Sequence, residues 1–319
     1  MTRRLAVLAL AASFVAASAA CGGDSPTPAP PQPGQPDKVT VGVIPIVDVA
    51  PIYLGKQKGF FNSRDIDLTL QPAQGGAAIV PAVVSGQYQF GFSNVVSLLL
   101  ARSRNVPVKV VSNGNNTTGD PAKDFGGLIV KDASITSARQ LEGKKVATNT
   151  LKNIVDTSVK SIVQKAGGDP SKVSFVELPF PDMIPALDGG RVDAIFVVEP
   201  FQTTALKKGW KVIGSYADVH PNLCVAVYFT STQVATGNPD LVRRFTEAMK
   251  ESLAYAQGHP DEVRAVLGSY TQISEEVRKE LILPKFPSDI DRAAVQSLAD
   301  LSVRYQLLSQ APDLGDLLP

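Results

Sequence analysis

Short apolar strands alternate with helices along most of this chain, and the alternation runs through it twice. The first series opens with a strand over residues 38–44, and the second opens with a strand over residues 126–131. Short apolar strands separated by helices are typical of parallel sheets that are covered on both faces. Beyond residue 239 the pattern is almost wholly helical. The chain is therefore predicted to be an α/β protein with two successive sheet-forming series.

An internal repeat links the two series. Residues 81–92, with the sequence PAVVSGQYQFGF, align without a gap on residues 185–196, with the sequence PALDGGRVDAIF. Each copy reads as the end of a helix, a glycine turn and a strand, which is a unit common enough to recur by chance. Because the second copy holds the same place in the second series, we interpret the repeat as a duplicated lobe. Two similar lobes would form a cleft at the carboxyl ends of their strands, where open α/β sheets bind ligands.

The numbers of charged, cysteine and histidine residues argue against several kinds of function. Lys and Arg total 31 against 30 for Asp and Glu, which leaves no large basic excess for a nucleic-acid-binding surface. Two cysteines and two histidines are too few for a structural zinc site, and no phosphate-binding Gly-Lys-Ser/Thr segment is present. His220 and His259 both precede prolines in predicted turns, which are poor positions for a catalytic base. We therefore expect a small-molecule-binding protein that is not an enzyme and holds no cofactor or metal.

The first residues predict export from the cytoplasm. Two arginines precede an apolar segment over residues 5–20, which is too short and too rich in alanine to span a membrane. The small residues before Cys21 resemble a bacterial lipoprotein cleavage site, although Ser18 stands where that site usually has a larger aliphatic residue. We expect residues 1–20 to be a signal peptide and Cys21 to carry a lipid that anchors the chain to the periplasmic side of the cell membrane. The alternative is an ordinary signal peptide that leaves Cys21 as a free thiol.

Residues 21–37 are rich in proline and contain no large apolar side chain. Such a segment buries too little surface to offset the entropy lost on ordering, and its prolines favour extended conformations. We interpret it as a tether that holds the folded part of the chain away from the membrane.

Four regions of the sequence resemble, in order, those of one family of solute-binding proteins. They are KGFF at 58–61 with IDL at 66–68, LEGKKVA at 141–147, GRVDA at 190–194 with EPF at 199–201, and NPDLV at 238–242. The family comprises the binding proteins for nitrate, sulfonate, taurine and thiamine-precursor pyrimidines in ABC import systems. Each match is weak alone, but their order and spacing hold from about residue 38 to about residue 268.

The resemblance implies a type II, bilobed periplasmic-binding-protein-like fold that closes on its ligand by a hinge motion. The first lobe would comprise residues 38–125 with 226–319, and the second would comprise residues 126–225. The two strands of the hinge would lie at residues 126–130 and 225–229. The resemblance also implies a monomer that delivers a small molecule to an ABC permease and ATPase complex.

The predicted ligand-binding residues follow strands, because helix N-termini there present unpaired N–H groups. The set comprises Asp48, Gln74, Gly76, Phe92, Ser93, Asn94 and Asn113 in the first lobe, and Thr148, Asn149, Thr150, Phe180, Asp182, Glu199 and Phe201 in the second. Asp48 and Glu199 are the strongest candidates, because each follows an apolar strand at the expected edge of the cleft. For Ser93, Thr150 and Asp182, plain capping of a helix is an equally good interpretation.

Charge and aromatic content near the expected cleft favour a neutral or weakly cationic ligand. Three of the candidate residues are acidic, whereas Lys152 is the only basic residue in the candidate loops. A sulfonate or nitrate would gain most from a neighbouring Arg or Lys, although a helix N-terminus can bind an anion unaided. Phe92, Phe180 and Phe201 are suited either to stacking on a flat ring or to the core. We therefore expect a heteroaromatic nutrient such as a thiamine-precursor pyrimidine. The alternatives are a sulfonate, taurine or nitrate ligand, and an enzyme of pyrimidine or menaquinone-precursor metabolism.

Overall fold

Two five-stranded sheets form the centre of the computed structural model, which describes residues 35–319. The first sheet has the strand order β2-β1-β3-β10-β4 and the second has the order β7-β6-β8-β5-β9. The strands are β1 (Asp37–Val43), β2 (Ile66–Pro72), β3 (Phe90–Asn94), β4 (Val108–Asn116), β5 (Gly126–Val130), β6 (Lys145–Thr148), β7 (Ser174–Glu177), β8 (Ala194–Val198), β9 (Lys211–Ser215) and β10 (Cys224–Ser231).

Helices cover both sheets. Those that follow strands of the first sheet are α1 (Ala50–Gln57), α2 (Gly76–Val84), α3 (Val95–Ser103) and α8 (Thr232–Gly237). Those of the second are α4 (Ile154–Lys165), α5 (Phe180–Asp188), α6 (Phe201–Leu206) and α7 (Tyr216–Val219). The C-terminal helices are α9 (Pro239–Gly258), α10 (Pro260–Val266), α11 (Glu275–Glu280), α12 (Arg292–Arg304) and α13 (Leu314–Leu317).

The long helix α9 packs on the first sheet because its apolar residues recur at helical spacing. Leu241, Phe245, Met249 and Leu253 are all buried. The ring of Phe245 stacks on that of Phe90 in β3, with centroids 3.8 Å apart and planes 5° apart. Residues spaced three or four apart share one face of a helix, so this stripe fixes which side of α9 meets the core.

Both sheets are mixed, whereas the sequence pattern predicts parallel ones. Strand β10 is antiparallel to β3 and β4, and β5 is antiparallel to β8 and β9. These two strands begin just after the chain has passed from one sheet to the other, through residues 117–125 and 216–223. Consecutive strands of one sheet are parallel when a helix connects them across that sheet. Strands β5 and β10 are reached from the other sheet, so this connection does not fix their direction.

The internal repeat occupies equivalent places in the two sheets. Its strands, β3 and β8, are each the central strand of a sheet. Gly86 and Gly190 end the two helices with φ angles of 79° and 68°, a left-handed conformation that favours glycine. The assignment of residues 38–125 with 226–319 and of residues 126–225 to two lobes stays a prediction. For brevity, the part that contains each sheet is called the first or the second lobe.

The predicted signal peptide, the lipid-bearing Cys21 and nearly all of the tether lie outside the described residues. No helix among residues 35–319 is long and apolar enough to cross a membrane.

Candidate functional site

A cavity of about 280 Å³ lies between residues of the two lobes. We call it the outer cavity. The first lobe contributes Ile44, Pro45, Ile46, Pro72, Ala73 and Gln74, and the second contributes Pro179, Phe180, Pro181 and Phe201. The rings of Phe180 and Phe201 are stacked, with centroids 5.8 Å apart and planes 15° apart. This lining is mostly apolar and includes a stacked pair of rings, which suits a small flat ligand.

A second cavity of about 30 Å³ adjoins the outer one, and we call it the inner cavity. Ile44, Ile46 and Phe180 line both. The other residues that line the inner cavity come from both lobes. The first lobe contributes Asp48, Phe92 and Asn94, together with Val225 and Ala226 of strand β10 in the first sheet, and the second contributes Asn149, Ile154, Val198 and Tyr216. Its volume suits one substituent of a ligand whose main part occupies the outer cavity.

Asp48 reaches the inner cavity because the chain makes a single 3-10 turn between β1 and α1. The turn spans Val47–Val49, and Pro51 then lies in the first turn of α1, where its missing N–H costs nothing. The Val47 N–H donates a 3.0 Å hydrogen bond to the Glu199 carbonyl, which joins this turn to the second lobe.

The Asp48 carboxyl is almost fully buried, with 2% of the residue exposed. Burial raises its pKa to about 7, because desolvation disfavours the charged form. The negative charge of Asp124 acts in the same direction, and the neighbouring Asn115 acts against it. Among the described residues, Asp48 Oδ2 has no hydrogen-bond partner. Asp48 therefore presents an unpaired and easily protonated oxygen beside the cavity.

Glu199 is also fully buried, and burial raises its pKa to about 7. Its carboxyl accepts hydrogen bonds from the Thr203 N–H at 3.0 Å, the Thr203 hydroxyl at 2.8 Å and the Ile282 N–H at 3.2 Å. The first two bonds come from the third residue of α6, and the third comes from the segment after α11. Glu199 lines neither cavity. Both of its oxygens are therefore occupied within the protein.

The remaining predicted residues of the first lobe lie at different places relative to the two cavities. Gly76 packs so closely on Ser93 that a Cβ atom at residue 76 would overlap the serine hydroxyl. Asn94, and not Ser93, caps α3, where its side chain accepts a 2.9 Å hydrogen bond from the Ser97 N–H. Gln74 is exposed at the rim of the outer cavity.

Asn113 lies away from both cavities. Its amide donates to Asn116 Oδ1 at 3.0 Å and to the Pro287 carbonyl at 2.8 Å. The carbonyl oxygen of its amide accepts from the Cys224 thiol at 3.3 Å. These bonds join β4 to β10 and to the loop before α12, and the structure does not bring Asn113 together with the other candidates.

In the second lobe, Asn153 caps α4 in the place expected of Thr150. Its Oδ1 accepts from the Val155 N–H at 2.9 Å, and Thr148 donates to the same oxygen at 3.2 Å. Asn149, which lines the inner cavity, accepts a 2.8 Å hydrogen bond from Asn153 Nδ2. Thr148 is thus occupied in shaping the loop after β6.

Two second-lobe candidates stand at the edges of the site. Asp182 is exposed in the first turn of α5, whose N-cap is Pro179 and which therefore has no capping side chain. Thr150 faces the first lobe, where a Cβ atom at Gly75 would lie 2.7 Å from its hydroxyl oxygen.

Sequence reasoning missed Tyr216, which lines the inner cavity. Burial raises the pKa of its hydroxyl well above 10, and the nearby Asp48 and Asp124 act in the same direction. Ser215 and Asp218 form a capping box that starts α7 at Tyr216. The spacing of a serine and an acidic residue three positions apart is visible in the sequence and would have placed a helix start here. No cluster of His, Cys, Asp and Glu suited to a metal ion occurs within the described part of the chain.

A sequence model of the NMT1/THI5-like family matches residues 46–263. A 4-amino-5-hydroxymethyl-2-methylpyrimidine phosphate synthase from Candida albicans is 23% identical over 235 residues, which cover 69% of this chain and 67% of the synthase. The taurine-binding periplasmic protein of Escherichia coli is 27% identical over 190 residues, which cover 58% of this chain and 56% of that protein.

Among solved structures, the periplasmic nitrate-binding protein of Synechocystis PCC 6803 superposes with a TM-score of 0.78 at 14% identity. The superposition covers 88% of this chain and 86% of the nitrate-binding protein. At this identity the likeness concerns the fold alone, and it confirms the predicted type II periplasmic-binding-protein fold.

Proposed function

The chain belongs to the NMT1/THI5-like family, and we propose that it is an extracytoplasmic solute-binding protein that delivers a small nutrient to the permease and ATPase of an ABC importer. The observation that carries the proposal is the pair of adjoining cavities, which residues of both lobes line. A site built from two lobes is what a protein needs if it is to enclose a solute and later release it. The fold is that of ligand-binding components of ABC import systems.

We further propose that the protein is a monomer and that its two lobes close on the ligand. Contacts between the predicted lobes support this proposal. The Ile282 N–H, in the segment after α11, donates to Glu199, and the Tyr305 hydroxyl donates to Gln164 Oε1 at 2.6 Å. Such contacts form only when the lobes meet, so they would add to the stability of the closed state.

The lining of the cavities supports a neutral or heteroaromatic ligand, such as a thiamine-precursor pyrimidine. Among the described residues that line the two cavities there is no Lys, Arg or His. An anion would therefore lack a charge-assisted partner in the site and would stand close to the Asp48 carboxyl. The stacked rings of Phe180 and Phe201 offer apolar surface for a flat ring. The similarity to proteins that are named pyrimidine phosphate synthases also supports a pyrimidine ligand.

Two other functions have specific support. The likeness to taurine- and nitrate-binding proteins favours a small oxyanion as the ligand. The likeness to synthases favours an enzyme of pyrimidine metabolism, although His220 lies outside the lining of either cavity and His259 stacks on Tyr255 at the end of α9.

A thermal-shift screen of vitamins, their pyrimidine precursors, taurine, alkanesulfonates and nitrate tests the proposal. We expect a selective rise in the unfolding temperature with a pyrimidine, because a ligand that binds only the native state stabilises it. The bound complex should have a smaller radius of gyration in solution scattering. A selective response to taurine, a sulfonate or nitrate would contradict the proposed ligand class, and turnover of the added compound would show an enzyme.

We also propose that Cys21 carries a lipid that anchors the protein to the cell membrane. The small residues before Cys21 and the proline-rich segment after it support this proposal. Cells fed a fatty-acid analogue should label the wild-type chain and leave a Cys21→Ser variant unlabelled. Equal labelling of the two chains would refute lipidation at this residue.

A further inference from the structure

Three buried polar side chains near the inner cavity have atoms without a hydrogen-bond partner. They are Asp48 at Oδ2, Asn115 at both amide atoms and Tyr228 at its hydroxyl. Asn115 and Tyr228 are fully buried, and Asp48 is 2% exposed. Buried polar groups in native proteins nearly always have partners, so a cluster of unpartnered atoms beside a cavity points to a ligand that supplies them. We call these three side chains the inner polar face.

The register of the first sheet directs Asn115 and Tyr228 to the side on which the inner cavity lies. Ala226 is opposite both Asn94 and Asn115, and Tyr228 is opposite Phe92. Residues directly opposite each other in an antiparallel pair project from the same face of the sheet. Phe92, Asn94 and Ala226 line the inner cavity, and Asn115 and Tyr228 lie on the same face of the sheet, fully buried beside that lining.

The turn that carries Asp48 lies over this face. Asn115 is near enough to lower the pKa of Asp48, and Asp48 in turn raises the pKa of Tyr228. Asp48 therefore lies close to both Asn115 and Tyr228, and none of the unpartnered atoms completes a well-formed hydrogen bond within the group.

We propose that the inner polar face binds the amino-substituted nitrogen edge of a neutral heteroaromatic ligand, with a protonated Asp48 donating to the ring nitrogen and accepting from the amino group. This inference rests on the proposed function and deepens it, because it selects aminopyrimidine-like rings among heteroaromatic solutes. A carboxyl group that keeps its proton offers a donor and an acceptor side by side. An Asn side chain reads the adenine edge, which has a ring nitrogen beside an amino group, in the same way.

The surroundings of Asp48 favour the protonated form that this pairing needs. The titratable groups that face it are Asp124, Tyr216, Tyr228 and Tyr270, and Tyr53 lies beside the last two. Burial raises the pKa of each of these tyrosines, so they stay neutral near pH 7. Asp124 is the charged neighbour, and its negative charge helps Asp48 to hold a proton.

The test is calorimetric binding of a matched pair of compounds to the purified full chain. The pair is 4-amino-5-hydroxymethyl-2-methylpyrimidine and the analogue in which a methyl group replaces the 4-amino group. A site built to pair an N–H group rejects an analogue that lacks it, so we expect the amino compound to bind at least about 100-fold more tightly. Its affinity should fall about tenfold per pH unit above pH 7, as Asp48 loses its proton.

Variants of Asp48 separate this pairing from a merely structural role. Asp48→Asn keeps one donor and one acceptor, so it should bind the amino compound within about tenfold of the wild type and lose the pH dependence. Asp48→Leu should lose binding by at least about 100-fold. Asp67→Asn, which changes an exposed carboxylate on β2 that lines neither cavity, is the matched control and should leave binding unchanged.

Equal binding of the two compounds, or loss of binding in an Asp48→Asn variant whose thermal unfolding is normal, would overturn the inference. Failure of both compounds to bind the wild type would overturn it as well. If Asp48→Leu does not fold, the compound pair and the pH profile of the wild type still decide. Stoichiometric binding of taurine or nitrate that is indifferent to Asp48 would refute this inference and leave solute binding itself standing.

Discussion

The two sides of the cleft each contribute one buried carboxyl group, and the two groups differ in their partners. Asp48 comes from the first lobe and Glu199 from the second, and burial raises the pKa of each to about 7. Glu199 accepts three hydrogen bonds from Thr203 and Ile282, whereas Asp48 Oδ2 has no partner among the described residues. Asp48 lines the inner cavity and Glu199 does not.

This difference teaches that a raised pKa alone does not identify a ligand-binding carboxyl group. Burial produces the same shift in both side chains, because desolvation acts on a carboxyl group whether or not it has partners. The occupancy of the two oxygens separates the roles. Glu199 holds the fold together across the cleft, and Asp48 has bonding capacity left for a ligand.

The largest expected effect is on stability, in a Glu199→Ala variant. The substitution leaves the Thr203 N–H, the Thr203 hydroxyl and the Ile282 N–H without their acceptor. We expect the free energy of unfolding to fall by about 3 kcal/mol, since each unsatisfied buried donor costs about 1–3 kcal/mol and some will relax. Urea unfolding at pH 4 measures this change, because at that pH protonation of Glu199 costs little in either state.

Asp48→Asn is the control for that experiment. At pH 4, where protonation of Asp48 costs little in either state, the substitution removes no hydrogen bond that Oδ2 makes, so the free energy of unfolding should differ from the wild type by less than about 1 kcal/mol. Similar losses in Glu199→Ala and Asp48→Asn would abolish the distinction between the two carboxyl groups.

The second prediction concerns the pH dependence of stability. In the folded chain the pKa of Asp48 and of Glu199 is about 7, against ordinary values of 3.8 and 4.5. Between these limits the folded state binds more protons than the unfolded state. The stabilisation is therefore full below about pH 4 and is lost as the pH rises to about 7, by up to about 1.4 kcal/mol per pH unit for each group. Asp156, whose pKa burial raises to about 6, adds to the lower part of this range.

Replacing Asp48 by Asn should remove one of these contributions. Urea unfolding at a series of pH values from 5 to 8 should show a stability that falls with pH in the wild type and falls less steeply in the variant. Wild-type stability that rises between pH 5 and pH 7, or parallel curves for the two chains, would show that Asp48 is not protonated in the folded state.

Much of the fold and part of the site follow from the sequence by elementary rules. Alternating strands and helices predict two sheets. The expectation that ligands bind at the carboxyl ends of strands correctly predicts five of the residues that line the inner cavity. These are Asp48, Phe92, Asn94, Asn149 and Phe180. Their position after strands is a local property, so a local pattern is sufficient to find them.

The different fates of Asn113 and Asn115 were beyond local rules. A period of two places both side chains on one face of β4, but the pairing with β10 is irregular at this point. Asn115 is opposite Ala226 and Asn113 is opposite Val227, and adjacent residues of β10 project from opposite faces. An irregularity in the pairing of β4 with β10 therefore places the side chains of Asn113 and Asn115 on opposite faces of the sheet. No sequence pattern predicts this irregularity.

The role of Glu199 was equally hidden. One of its donors, the Ile282 N–H, belongs to a residue 83 positions further along the chain. An acidic residue after an apolar strand has the same local signature whether its oxygens are bonded or free. Only the tertiary contact decides between the two.

The smallest expected effect tests whether the two sides of the cleft must meet for binding. Gly75, before α2, has an extended backbone with φ of −171°, which any residue adopts. A Cβ atom there would lie 2.7 Å from the Thr150 hydroxyl oxygen, so Gly75→Val should hold the two lobes apart without straining its own backbone. Under the proposed closure, the closed state alone bears this cost, and we expect ligand affinity to fall about fivefold, or about 1 kcal/mol. The unfolding temperature of the ligand-free chain should stay nearly unchanged if an open arrangement relieves the contact.

Shortening the opposing side chain with Thr150→Ala in the same chain should restore most of the affinity. Binding that is indifferent to Gly75→Val would mean that the first lobe, with Asp48, holds the ligand without the second.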